Sequence, residues 1–132
     1  MAHEFVREYL IKSRLDIVWK SLTDSKELSA WQRQKCVFGK KQGEEYTLFD
    51  GWVHGTILEI TPKTKLSYTW KPIGWNKKWK ESIVILTLIN TNEGIKIIVQ
   101  HNTFPNKKEK DSHYIGWSQE FFKPLKKYLE KK

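Results

Sequence analysis

The chain has 132 residues, of which 39% are hydrophobic and 30% charged, with 7 Gly and 4 Pro. That is the size and composition of one globular domain, able to bury roughly 68% of its unfolded surface, and it excludes a disordered tail or low-complexity linker. Lys and Arg number 24 against 15 Asp and Glu, a formal net charge of +9, and seven of the aromatic residues are Trp.

Cys36 is the single cysteine. No intramolecular disulfide can form, so a secreted disulfide scaffold is excluded and a reducing cytoplasm is expected. Glu4, Arg7 and Glu8 interrupt the N-terminus before any apolar signal core can build. The longest apolar stretch, Ile83 to Ile89, is broken by Thr87. It falls far short of the roughly 20 residues of a membrane span.

Taken in order, Glu4 to Lys12 alternates with strand periodicity. Ser13 with Asp16 three residues on is close to a capping box, opening a helix that carries Leu15, Val18, Trp19 and Leu22 inward. Lys26 to Trp31 reads as a second short helix, with Leu28 and Trp31 inward. The period then changes to two. Short strands are expected at Lys35 to Phe38 and Glu45 to Phe49. A longer one runs from Trp52 to Thr61, with Trp52, His54, Thr56, Leu58 and Ile60 on one face. Pro62 to Lys65 is a hairpin loop before a strand at Lys65 to Trp70. Glu81 to Asn90 and Gly94 to Phe104 are Ile- and Val-rich strands joined by a turn that closes on Gly94.

A helix from about Asp111 to Glu130 ends the chain, with Tyr114, Trp117, Phe121, Leu125 and Tyr128 on one stripe. Pro124 lacks a backbone donor and forces a kink or a local adjustment in it. The order predicts an α+β fold: a first strand, two short helices, a run of about six antiparallel strands and one long helix laid across a curved sheet. A small ligand fits between that helix and sheet.

This order and three local motifs resemble the START-like (SRPBCC) superfamily with its helix-grip fold. The nearest branch is the C-terminal domain of the activator of heat-shock protein 90 ATPase. The first motif is Val18 to Asp24 with Leu28 and Trp31. The second runs from Gly51 to Trp70, with Gly51, Gly55, Ile57, Glu59, Ile60, Pro62 and Leu66 in the family's places. The third is Gly116-Trp117 with Leu125 and Leu129. Ile97, Val99 and His101 resemble the family's late strand. The resemblance covers residues 5–130 and implies six to seven strands in the sheet. It also implies hydrophobic small-molecule binding or contact with a chaperone. Two features depart from the family pattern: Gly43 stands alone before the third strand, and the segment Gly74 to Trp79 is particular to this chain.

For chemistry, the histidines are His3, His54, His101 and His113. None has a zinc spacing, so no metal and no cofactor are expected. There is no nucleophile elbow, phosphate-cradling loop or dinucleotide fingerprint. His54 and His101 facing one cavity, with Glu59 or Asp50 near, would permit acid–base work. The alternative is that both are hydrogen-bonded parts of an apolar wall. The expected cavity lining is Trp31, Trp52, His54, Tyr68, Trp70, His101, Trp117 and Phe121, against the alternative of a filled core. Trp75, Lys77, Lys78 and Trp79 are expected as a lid or partner surface, unless the tryptophans fold back onto the sheet edge. Lysines dominate residues 71–81 and 106–132. They suit a solvated exterior or an acidic protein partner, and their excess over arginine disfavours nucleic acid. The leading expectation is non-catalytic binding of a hydrophobic small molecule, ahead of a chaperone-activator module and a small enzyme using His54 and His101.

Overall fold

The computed structural model describes residues 3–130. In order, the elements are β1 (Phe5–Ile11), α1 (Leu15–Thr23), α2 (Ser25–Gln32), β2 (Val37–Phe38), β3 (Glu45–Leu48), β4 (Val53–Thr61), β5 (Lys65–Pro72), β6 (Ser82–Thr91) and β7 (Gly94–Asn102). A long helix follows as α3 (Lys107–Gly116), a π-helical segment (Trp117–Phe122) and α4 (Lys123–Glu130). The seven strands form one antiparallel sheet in the order β1-β7-β6-β5-β4-β3-β2. The sheet is curved, and the C-terminal helix lies across it in a helix-grip arrangement.

Alternation sets the inner face. Leu66, Tyr68 and Trp70 on β5, Val84, Leu86 and Leu88 on β6, and Ile95, Ile97, Val99 and His101 on β7 are all buried. They are brought opposite one another by the register Leu66↔Leu86, Tyr68↔Val84 and Val84↔His101.

On β4 the expected facing is reversed. Val53, Gly55 and Ile57 point inward, while His54 and Leu58 are exposed. The register shifts between Ile57 and Glu59. This bulge lets odd residues face the core before it and Ile60 join the core after it. Gly55 is required there, since a Cβ would sit 2.2 Å from the Thr69 carbonyl oxygen and 2.8 Å from the Tyr46 ring. The Tyr46 hydroxyl crosses this gap to donate to that carbonyl.

The helices differ from expectation at their starts. Arg14, not Ser13, is the N-cap of α1, and it makes no side-chain cap bond. Ser13 is drawn into a tight turn by its N–H bond to Ile11 O, and Asp16 pairs with Arg14 instead. Asp24 ends α1 and caps α2, accepting from the Glu27 N–H at 3.0 Å. The C-terminal helix starts at Lys107, four residues early, because the Asn106 side chain accepts from the Glu109 N–H at 2.9 Å. An Asn followed three residues later by Glu is a capping signature.

Pro124 is accommodated without breaking the helix. Over the preceding turn the bonding widens to i→i−5, with the Lys123 N–H reaching Ser118 O. The loop thus opens one turn before the residue that cannot donate. Tyr114 leaves the expected stripe: it is 45% exposed, and its place on the buried face is taken by His113. Its ring lies edge-on to Phe5 under the Arg7 guanidinium, at the β1 edge.

Candidate functional site

An aromatic cavity opens where α3 and the π-helical segment cross the ends of β3, β4 and β5. Its volume is about 340 Å³. Phe49, Trp52, Trp70, Trp117 and Phe121 form a closed ring of side chains around it. Successive ring centroids lie 6.1 Å (Phe49–Trp52), 6.2 Å (Trp52–Trp70), 5.3 Å (Trp70–Trp117), 4.8 Å (Trp117–Phe121) and 6.4 Å (Phe121–Phe49) apart. His113 stacks beside Trp52 at 6.0 Å, and exposed Ser112, Ile115, Gln119 and Glu120 complete the mouth.

The backbone holds this box open. Phe49 has φ 52°, Asp50 φ 55° and Gly51 φ 84°, a left-handed run that only Gly takes readily. Phe49 is fixed there by its N–H, which donates to Gln32 Oε1 at 3.0 Å. Gln32 is itself buried and accepts from the Cys36 thiol at 2.9 Å. The chain also closes by Asp50 N–H to Lys35 O. A bulky residue in this conformation is strained, and the buried Gln32 offsets that strain.

Behind the box lies a polar spine. Trp70 Nε1 donates to His113 Nε2 at 3.1 Å. That makes His113 Nδ1 the protonated nitrogen, which donates to Glu109 O at 2.8 Å. Trp117 Nε1 donates to His101 Nδ1 at 3.0 Å, so His101 Nε2–H donates to Ser82 Oγ at 2.8 Å, and Ser82 donates to Trp70 O. Both histidines are neutral with both nitrogens used. Burial holds the His101 pKa well below its ordinary value, with a smaller push from His113. Burial also lowers that of His113, opposed by its bond to Glu109 and that residue's charge.

Of the residues expected to line a cavity, the structure brings Trp52, Trp70, Trp117 and Phe121 together around one space. Trp31 lies behind Phe121, its ring 4.9 Å away, with its N–H bonded to Ser21 O. Tyr68 is buried beneath Trp70, and burial raises its hydroxyl pKa. His101 is wholly buried behind Trp117. His54 does not face the helix. It lies exposed on the outer face of β4, beside a groove with Lys71, Pro72 and Ile73, so it shares no wall with His101. The inward positions are Val53 and Gly55.

Trp75 folds back against the body, 7% exposed, and its N–H donates to Glu109 Oε1 at 2.8 Å. Its ring lies 5.8 Å from His113, so it backs the cavity wall. Trp79 packs edge-on against Trp75, and Lys71 Nζ holds the loop by donating to Lys77 O and Trp79 O. Lys77 and Lys78 are exposed. Sequence reasoning missed Phe49, His113 and Glu120. The one signal for His113 is its place four residues before Trp117 on the helix, and the neighbouring Tyr114 competes for the same stripe. Among the described residues, no three His, Cys, Asp or Glu side chains gather as a metal site requires.

Residues 12–130 match the family described as activator of Hsp90 ATPase homolog 1-like protein. The chain belongs to this family. No curated protein matches it by sequence. Among solved structures, this family member is similar to an HSP90 activator, PFC0360w, from Plasmodium falciparum. Identity there is 26% over 98% of this chain and 96% of that one, with a TM-score of 0.81. It shares its fold with protein MLL2253 from Mesorhizobium loti, at 24% identity over 97% of each chain and a TM-score of 0.83. DynU16, from the dynemicin biosynthetic locus, has the same fold at 20% identity, covering 97% of this chain and 47% of that one, with a TM-score of 0.83. No helix among the described residues is long and apolar enough to cross a membrane.

Proposed function

We propose that residues 1–132 act as a single domain that binds a small hydrophobic molecule in the aromatic cavity, without catalysing a reaction on it. The observation that carries this reading is the closed ring of Phe49, Trp52, Trp70, Trp117 and Phe121 around about 340 Å³ of space. That volume stands at the low end of ligand sites, which run from about 300 to 1,000 Å³. It suits a compact ring system better than a long acyl chain. Binding would rest on apolar area removed from water, about 25 cal/mol per Å² before ordering costs. The two buried histidines have no free nitrogen to offer a substrate, so they act as fixed struts for Trp70 and Trp117. A reducing, cytoplasmic setting fits the buried thiol of Cys36.

The test is native mass spectrometry before and after organic extraction, with tryptophan fluorescence followed against a panel of small aromatic compounds. A reproducible extra mass lost on extraction, or saturable quenching, supports the reading. A clean mass and no response across the panel overturns it.

A second reading, a chaperone-interaction module, is favoured by the likeness to the P. falciparum HSP90 activator. The surface for it would be Lys71, Lys77, Lys78 and Lys80 around the β5–β6 loop, presented to an acidic partner. Capture of a chaperone that weakens steeply with salt, and fails when Lys77 and Lys78 are replaced by Glu, is the expected result of that reading.

A further inference from the structure

The charges around the cavity run against the charges of the chain. The protein carries a net +9, yet no described Lys or Arg lines the cavity. Among the described residues that line it, Glu120 is the one acidic side chain. Among the described residues Glu120 makes no ion pair and no side-chain hydrogen bond, whereas Asp16, Glu59, Glu8 and Asp111 all pair with Lys or Arg. His113, the other titratable group on the wall, is neutral, because its Nε2 accepts the Trp70 N–H. The wall therefore presents no positive charge from any element that builds it.

The ring arrangement adds to this. Trp52 stands at 77° to Trp70 and 79° to Phe49, and Phe121 at 66° to Phe49. Rings crossed at such angles turn π-faces as well as edges toward one space. An aromatic face is the negative pole of the ring quadrupole, and cages of such faces recognise alkylammonium groups. A carboxylate at the rim completes the electrostatics of such a cage.

We propose that the cavity takes an organic cation, an alkyl- or aryl-substituted ammonium whose charged head lies among Trp52, Trp70 and Trp117 and faces Glu120. This rests on the reading that the cavity binds a small molecule, and it narrows the chemical class. The apolar body of the ligand meets Phe49 and Phe121, and the charge is what separates this ligand from a neutral molecule of the same shape.

The experiment compares two probes of one shape, benzyltrimethylammonium and its uncharged carbon isostere neopentylbenzene. Tryptophan fluorescence and calorimetry follow their binding to the wild-type protein, Glu120→Gln and Trp52→Ala. Glu120 and Trp52 are both exposed enough that neither change threatens the fold, and thermal melts check this. The expected result is a three- to tenfold preference for the cation, about 0.7 to 1.4 kcal/mol. Glu120→Gln should lose most of that preference while leaving neopentylbenzene affinity unchanged, and Trp52→Ala should weaken both. If the neutral isostere binds equally or more tightly, the cation assignment is wrong and the hydrophobic reading stands. If neither probe binds, the cation assignment falls, and the small-molecule reading is decided separately by the extracted mass and the wider panel. If the cation binds but neither substitution alters it, it binds elsewhere and the assignment is overturned.

Discussion

The two halves of the C-terminal helix bury their inner faces by different means. In α4, Leu125 and Leu129 are almost wholly buried in the core cluster, where the helix packs against α2 and β1. Aliphatic side chains have no polar tips to satisfy, so they close up to crystal-like density. The preceding half, from His113 to Phe122, presents Trp117 to Trp70 and His101, Phe121 to Phe49 and Trp31, and Phe122 to Tyr9. The indole N–H groups of Trp70, Trp75 and Trp117 must each find an acceptor, and they find His113, Glu109 and His101. Rigid rings tied at both body and tip cannot collapse onto one another, and a space remains among them. One helix is thus a core element at one end and a cavity wall at the other, and the change falls at the π-helical turn before Pro124.

The largest expected effect breaks the closed half. Leu125→Ala removes a fully buried side chain from the core and should cost about 2–5 kcal/mol of stability. Urea unfolding measures it, and a loss under about 1 kcal/mol would mean that α4 is not packed as described. Next in size is the polar spine of the open half. His101→Leu leaves Trp117 Nε1 buried without its acceptor, and should cost about 1–3 kcal/mol. His101→Gln, which can return an acceptor, should recover part of that loss.

The difference between the halves also marks what the amino-acid order reveals. Alternation through Ile83 to Ile89 and Ile95 to Val99 places β6 and β7 within a residue or two, because both faces and the turn at Gly94 agree. The helix-grip order follows from the same patterns. The facing of β4 was not legible. Apolar Leu58 and Ile60 continue the alternation through the bulge, so nothing in the pattern marks the point where the face changes. That is why His54 reads as a wall residue and is found outside. In the site, Trp52, Trp70, Trp117 and Phe121 were readable as periodic aromatics. Phe49 was not, since its place depends on a left-handed backbone held from a distance by Gln32. His113 was hidden because Tyr114 competes for the same stripe, and only the three-dimensional course of β1 decides that Tyr114 lies outside.

A smaller effect sharpens the comparison through pH. Burial lowers the pKa of both His101 and His113, so the unfolded chain binds protons that the native state refuses. Stability from these groups is complete above the unfolded histidine value of about 6.5 and declines as pH falls below it. Each excluded proton contributes up to about 1.4 kcal/mol per pH unit. Urea midpoints measured from pH 7.5 to 5 should fall, and the slope should be shallower in His113→Gln, which keeps an acceptor for Trp70 but does not titrate. Equal slopes in the two proteins would mean that His113 is not held neutral. Leu125 and Leu129 do not titrate, so the side chains that anchor the other half add nothing to this dependence.

The smallest expected effect on stability falls on Trp52. It is 43% exposed and makes its ring contacts with Phe49, Trp70 and His113 from the side open to solvent. Truncation to Ala removes no buried hydrogen bond and leaves its space open to water rather than creating a closed void, so the change should stay under about 1 kcal/mol. The same substitution opens the aromatic ring on one side and should weaken any cavity ligand by about tenfold, the loss of one aromatic wall. A large loss of stability in Trp52→Ala would make the aromatic end a second core. Near-native stability with lost binding separates it, as a site, from the half of the helix that Leu125 anchors.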